Sequence, residues 1–135
     1  WVPAADDAPD GRTPLGAVSV IHDNRHRIAT RVRQLESGRR YAQVPPSRLR
    51  RVVSNVEVLG RVGGDAADAG DWVVAANFVL VEARQQRKTT WAGRVTYHLR
   101  PAERADDGDG GFLMSYKKVD LVDREGDLPT LAFLI

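Results

Sequence analysis

Apolar and polar positions along the chain change period once, near residue 44. Before it the spacing is helical: Ile28, Val32 and Leu35 sit at i, i+4 and i+7, with Ala29 beside them. Arg25, Arg27, Arg31 and Arg33 mostly flank that stripe, Asp23 or Asn24 is placed to cap the helix, and Gly38 to stop it. The pattern predicts one helix that packs one face on a sheet. After residue 44 the period is two, and residues 49–60, 72–84, 88–100 and 111–123 read as strands rich in β-branched and aromatic residues. Gly60 to Asp71, Gln85 to Arg87 and Pro101 to Gly111 supply the turns between them, so consecutive strands are expected to pair antiparallel. A short strand is expected at Ala17–Ile21, a last one at Leu131–Ile135, and residues 4–14, with their Asp, Pro and Gly, as a loop. No repeat or linker divides the chain, which predicts a single domain over residues 1–135.

The segment Val44 to Val58 is the hinge between the two patterns. Pro45 and Pro46 fix their own φ angles and hold Val44 and Pro45 extended. In the strand that follows, alternation puts Val52, Ser54, Val56 and Val58 on one face and Val53, Asn55 and Glu57 on the other. Arg48, Arg50 and Arg51 crowd its start, and Asn55 is expected to satisfy backbone groups at a corner. Further on, Thr89, Trp91, Val95, Tyr97 and Leu99 share a face with Gly93, a mid-strand glycine that suggests a bulge or bend. One helix followed by hairpin-linked strands argues an α+β fold with a mainly antiparallel sheet. Strands of this length, roughly 40 Å, twist and curl.

Composition narrows the function. At 135 residues, 42% hydrophobic and 28% charged, the chain is ordinary for a globular protein, and no apolar run approaches the ~18 residues of a membrane span. There is no signal-peptide pattern, and the chain starts at Trp1. A net charge of +2 is too small for a nucleic-acid footprint. Cysteine is absent, which removes disulfides and thiolate chemistry and fits a cytoplasmic location. Only Lys88, Lys117 and Lys118 are lysine among 20 basic residues. Such arginine dominance suits planar ion pairs at interfaces, and equally a GC-rich genome.

Pro45-Pro46-Ser47-Arg48 followed by Arg51-x-Val53-Ser54-Asn55-Val56 resembles the signature of the beta (small) subunits of Rieske-type aromatic-ring-hydroxylating dioxygenases. The flanks agree over nearly the whole chain. Trp1-Val2-Pro3 resembles the family's early Trp-x-Pro strand, and His22-Asp23-Asn24-Arg25 leads into a helix carrying Arg31-Val32-Arg33-Gln34-Leu35. Asn77-Phe78 and Trp91-Ala92-Gly93-Arg94 resemble its central strands, and Leu128 to Leu134 its closing strand, all in the family's order. The resemblance implies a cone-shaped curved sheet wrapped around helices, as in ketosteroid isomerase. It also implies N-terminal helices ahead of Trp1, which are expected to be missing from this chain.

The function implied is that of a non-catalytic subunit that supports assembly with a catalytic alpha subunit in aromatic hydrocarbon catabolism, usually three alpha with three beta and with beta–beta contacts. The alpha subunit would carry the [2Fe–2S] Rieske cluster and the mononuclear Fe(II), with electrons from NADH through a reductase. No catalytic, cofactor or metal residue is expected in this chain. Arg48, Arg50 and Arg51, with Asn55, are the expected interface residues; the arginines read alone fit a solvated basic edge or an ion-pairing face, and the resemblance favours the second.

Other chemistry has weaker support. His22 and His26 around Asp23 look like a two-histidine, one-carboxylate iron site, but a cap between them takes them off a common helical face, and the surrounding arginines repel a cation. His98 stands alone on the polar alternation of its strand. A Rieske cluster takes two cysteines and two histidines, and this chain has no cysteine. Ser47 and Ser54 lie in no nucleophile elbow, and Gly60 to Gly64 lacks the lysine of a phosphate loop. The alternative from another class is a stand-alone cone-fold isomerase, dehydratase or small-molecule-binding protein. It would need an open conical pocket in which an acid faces Tyr or His. Asp120, Glu57, Glu82, Tyr97 and Tyr116 are the parts available, although Glu57 and Glu82 alternate with apolar neighbours as exposed strand residues do. A subunit would instead fill the cone with Trp, Phe and Leu.

Overall fold

The computed structural model describes residues 2–3, 19–38, 44–63, 70–102, 111–124, 126, 128, 131 and 133. In chain order these form β1 (Val2–Pro3), β2 (Ser19–Ile21), α1 (Arg25–Glu36), β3 (Arg48–Arg61), β4 (Trp72–Arg84), β5 (Arg87–Pro101) and β6 (Phe112–Leu121). The loop expected over residues 4–14 and most of the loop between β5 and β6 lie outside the described residues.

Asn24 caps α1, its Oδ1 accepting from the Arg27 amide at 3.0 Å, and Gly38 ends the helix at φ +64°. The expected packing on the sheet is corrected: α1 buries none of its residues, and none of them joins the core. The physical reason is a narrow stripe. Three large apolar residues among arginines offer little area, and Ile28 remains 38% exposed.

β3, β4, β5 and β6 pair in that order, each antiparallel to the next, as the hairpin spacing predicts. Gln85 and Gln86 close the β4–β5 hairpin with φ of 48° and 64° between the paired Arg84 and Arg87. That two-residue turn with positive φ matches the right-handed twist of its strands. A separate pair joins β1 and β2 antiparallel, with Val2 opposite Ile21.

The core lies on one face of the sheet. Ala76, Phe78 and Leu80 of β4, Trp91 and Val95 of β5, and Val119 and Leu121 of β6 are buried there under Leu131 and Phe133. Trp91 and Phe133 meet edge to face at 5.9 Å. Each fully buried large side chain contributes about 1.5–3 kcal/mol, so β6 and the segment with Leu131 and Phe133 stabilise the core alongside β4 and β5. The last strand expected at Leu131–Ile135 is corrected where it is described: Leu131 and Phe133 lie in no strand and instead cover the core face. Alternation reported which side chains are buried, not whether the backbone pairs. Ala132, Leu134 and Ile135 are outside the described residues.

Two backbone features also depart from the alternation. Gly93 makes no bulge with β4 and pairs with Phe78 and Leu121; a Cβ there would come 2.1 Å from the Asp120 carbonyl oxygen. In β3 the register shifts between Ser54 and Glu57, where Asn55 has φ 49°. Val53 opposite Phe78 and Val58 opposite Val74 therefore share a face, although strict alternation had separated them.

Candidate subunit interface

Alternation along β3 divides the arginine cluster. Arg48 stands opposite Ala83, Arg50 opposite Val81 and Arg51 opposite Leu80, so Arg51 faces the core side and the other two face away. The guanidinium of Arg51 lies 5.6 Å from the Phe78 ring centre. It borders a shallow hollow with Val53, Phe78, Val95, Tyr97, Lys117 and Val119, drawn from all four strands. Lys117 lies 5.8 Å from the Tyr97 ring, and burial, with a smaller contribution from Arg51, pushes its ammonium pKa down to about 8. Arg50 is exposed and donates to the Leu49 carbonyl at 3.1 Å.

Arg48 borders a different hollow, of about 330 Å³, between the proline corner and the β4–β5 hairpin. Pro45 and Pro46 form one wall; Arg84, Gln85, Gln86, Arg87 and Lys88 form the other. Arg84 bridges the walls, donating to the Pro45 carbonyl at 3.0 Å and the Val44 carbonyl at 3.3 Å. Asn55 belongs to neither hollow. Its contribution is conformational, since asparagine tolerates the left-handed backbone of the bulge better than other side-chain-bearing residues.

β3 is the open edge of its sheet, pairing among the described residues with β4 alone. It is also apolar and exposed. Val52 is 67% and Val58 66% accessible, and Val53, Val56 and Leu59 are likewise exposed. A long edge strand with such side chains invites pairing or burial by another chain.

The acids do not assemble an acid–base site. Glu82, expected to be exposed, is half-buried and accepts from Trp91 Nε1 at 3.2 Å and from the Ser47 hydroxyl, tying the proline corner to the core. Glu57 pairs with Arg94, which also donates to Asn77 Oδ1 at 3.4 Å. Asp120 sits between Lys118 at 3.2 Å and Arg124 at 3.5 Å. Among the described residues no acid borders the hollow that holds Tyr97. His98 stacks on Tyr116 at 4.5 Å, while His22 and His26 are exposed at the start of α1. Asp23, between them in sequence, is paired with Arg31.

Sequence reasoning missed the hairpin cations and the lowered pKa of Lys117. The run Arg84-Gln85-Gln86-Arg87-Lys88 was visible as a basic turn, but its nearness to Pro45 and Pro46 was not. It also missed Asp71, whose carboxyl accepts from the Ser115 hydroxyl and pairs with Arg100 Nε at 3.1 Å, linking the β3–β4 connection to β6 and β5. The Ser115 bond first, then the Arg100 charge, hold that carboxyl below its usual pKa despite an opposing desolvation.

No curated protein sequence matches this chain. Several solved structures are similar, two of them as follows. The beta subunit of benzoate 1,2-dioxygenase from Burkholderia mallei is 25% identical, with a TM-score of 0.54 over 77% of this chain. This chain spans 62% of that subunit's length. A chain of naphthalene 1,2-dioxygenase, solved with indole bound in the active site, has a TM-score of 0.64 over 99% of this chain and 67% of its own. At 18% identity that likeness is one of fold, and it assigns the α+β cone with its curved antiparallel sheet. The sequence itself matches the family described as ring hydroxylating beta subunit over residues 1–125, so this chain belongs to the ring hydroxylating beta subunit family.

Proposed function

We propose that this chain is the non-catalytic beta subunit of a multicomponent aromatic-ring-hydroxylating dioxygenase, acting as one domain that supports assembly with a catalytic alpha subunit. The observation that carries this is β3: an edge strand, paired among the described residues with β4 alone, whose valines and Leu59 are exposed on both faces. Interfaces bury such apolar centres inside a polar, arginine-rich rim. Arg48 and Arg50 on one side of β3, Arg51 on the other and Asn55 at the bulge make up that rim.

The partner supplies the redox chemistry in this reading. This chain's residues do not fit either iron group, because it has no cysteine for a Rieske centre and its histidines lie at the start of α1 and on β5. The [2Fe–2S] cluster and Fe(II) then belong to the alpha subunit, fed from NADH by a reductase in the cytoplasm, in a complex of three alpha and three beta subunits with beta–beta contacts. The enzyme of which this chain is part is an oxidoreductase of aromatic hydrocarbon catabolism. The isomerase alternative is disfavoured, since among the described residues the Tyr97 hollow is bordered by Arg51 and Lys117 and by no carboxylate.

Co-expression with a catalytic alpha subunit of this family tests the reading. The wild-type pair should co-elute as a hexamer, and Val52→Glu with Val58→Glu should weaken association at least a hundredfold. Intact assembly in that double variant, and in charge reversals of Arg48, Arg50 and Arg51, would remove β3 from the interface.

A further inference from the structure

We infer that the hollow between the proline corner and the β4–β5 hairpin is a docking site for an acidic, extended segment of a partner polypeptide. Among the described residues the cations Arg48, Arg84, Arg87 and Lys88 border it, and no acidic residue does. The acid nearest along β4, Glu82, is committed to Ser47 and Trp91. Arg84 is held by the carbonyls of Val44 and Pro45 and so builds the wall rather than filling the space. Arg48, Arg87 and Lys88 make no ion pair among the described residues and are exposed.

Like charges gathered without a counter-charge repel one another, and an anion brought from outside relieves that repulsion. Guanidinium groups hold carboxylates in a bidentate fork, which gives orientation as well as attraction. The Gln85 and Gln86 side chains at the turn are exposed amides able to bond a passing peptide backbone. Those amides favour a polypeptide over a simple anion. Nucleic acid fits less well, because among the described residues no aromatic ring borders the hollow for bases to stack on, and the chain's net charge is only +2.

The position is consistent with assembly. Arg48 is both a wall of the hollow and the first residue of the open edge strand, so a segment seated here would continue along β3. The inference takes the nature of the complex from the subunit reading, but the chemistry of the occupant stands on the hollow alone.

The test uses the full chain labelled with ¹⁵N and an end-blocked decapeptide of alternating glutamate and serine. The glutamine–serine peptide, inorganic phosphate and oligothymidylate serve as competitors. The glutamate peptide should shift the amides of Gln85, Gln86, Arg87 and Lys88, and its affinity should fall at least tenfold between low and physiological salt. Arg87→Glu with Lys88→Glu should weaken it tenfold or more. Arg25→Glu with Arg27→Glu, which removes the same charge on α1, should not. Equal losses in both variants, equal binding of the glutamine peptide, displacement by equimolar phosphate, or tighter binding of oligothymidylate would each overturn the inference. Assembly is read separately. Peptide binding by a chain that forms no complex with the catalytic subunit would keep the acidic docking site while overturning the subunit reading.

Discussion

Arg84 clamps Pro45: its Nε donates to the proline carbonyl at 3.0 Å, while Nη2 reaches the Val44 carbonyl at 3.3 Å. One side chain at the end of β4 thereby holds the corner that aims β3. Removing it in Arg84→Met should cost about 1 kcal/mol, because two charge-assisted but exposed hydrogen bonds are lost. Urea unfolding reads the stability, and faster amide exchange at Ser47 and Arg48, with the centre of β4 unchanged, would locate it. Unaltered exchange there would show that the prolines hold the corner unaided.

Gly93 of β5 has no room for a side chain. An added methyl group would meet the Asp120 carbonyl oxygen and lie 3.1 Å from the Leu121 Cα, both backbone of β6. Backbone cannot step aside as a flexible side chain can, so Gly93→Ala should destabilise by about 3 kcal/mol or more. Chemical denaturation of the purified chain would measure it, and a loss below about 1 kcal/mol would mean that β6 shifts freely.

Asn55 separates conformation from chemistry. Its φ of 49° penalises a β-branched residue, so Asn55→Val should cost about 1–2 kcal/mol, whereas Asn55→Gly should be nearly neutral. Assembly with the catalytic subunit should follow the same order, because the bulge decides which faces of β3 Val53 and Val58 occupy. Loss of assembly in the glycine variant at unchanged stability would instead assign the amide a direct contact.

Lys117 links stability to alkaline pH. Its pKa falls from 10.5 to about 8 through burial and, secondarily, the charge of Arg51. Between those values the unfolded chain binds a proton that the folded chain does not, so stability rises as pH increases from about 8 towards 10.5. Partial solvation of the ammonium limits the gain to about 1–2 kcal/mol. Lys117→Met should remove that rise when its unfolding midpoints are compared with wild type across the window. Parallel curves for the two proteins would place the burial penalty elsewhere.

The candidate site was legible in part. The crowd of Arg48, Arg50 and Arg51 beside two prolines was plain in the sequence, and so was the basic turn from Arg84 to Lys88. That the two runs face each other across one hollow was not, because nothing local to either specifies the antiparallel pairing of Arg48 with Ala83. The separation of Arg50 from Arg51 onto opposite faces follows from the strand expected over residues 49–60, whereas Arg48 joins the face of Arg50 only because the strand begins one residue earlier.

By itself the sequence determined what depends on near neighbours: the helix and its Asn24 cap, the four long strands, their hairpin order and the lack of thiolate ligands. These follow from side-chain periodicity, turn chemistry and residue inventory, all local properties. Tertiary structure decided what depends on distance in space. It left α1 outside the core, laid Leu131 and Phe133 on the sheet without a strand, turned Glu82 inward to Ser47 and Trp91, and brought the Asp120 carbonyl over Gly93. Burial and close approach come from partners contributed by other segments, and their free energy is settled only when those segments meet.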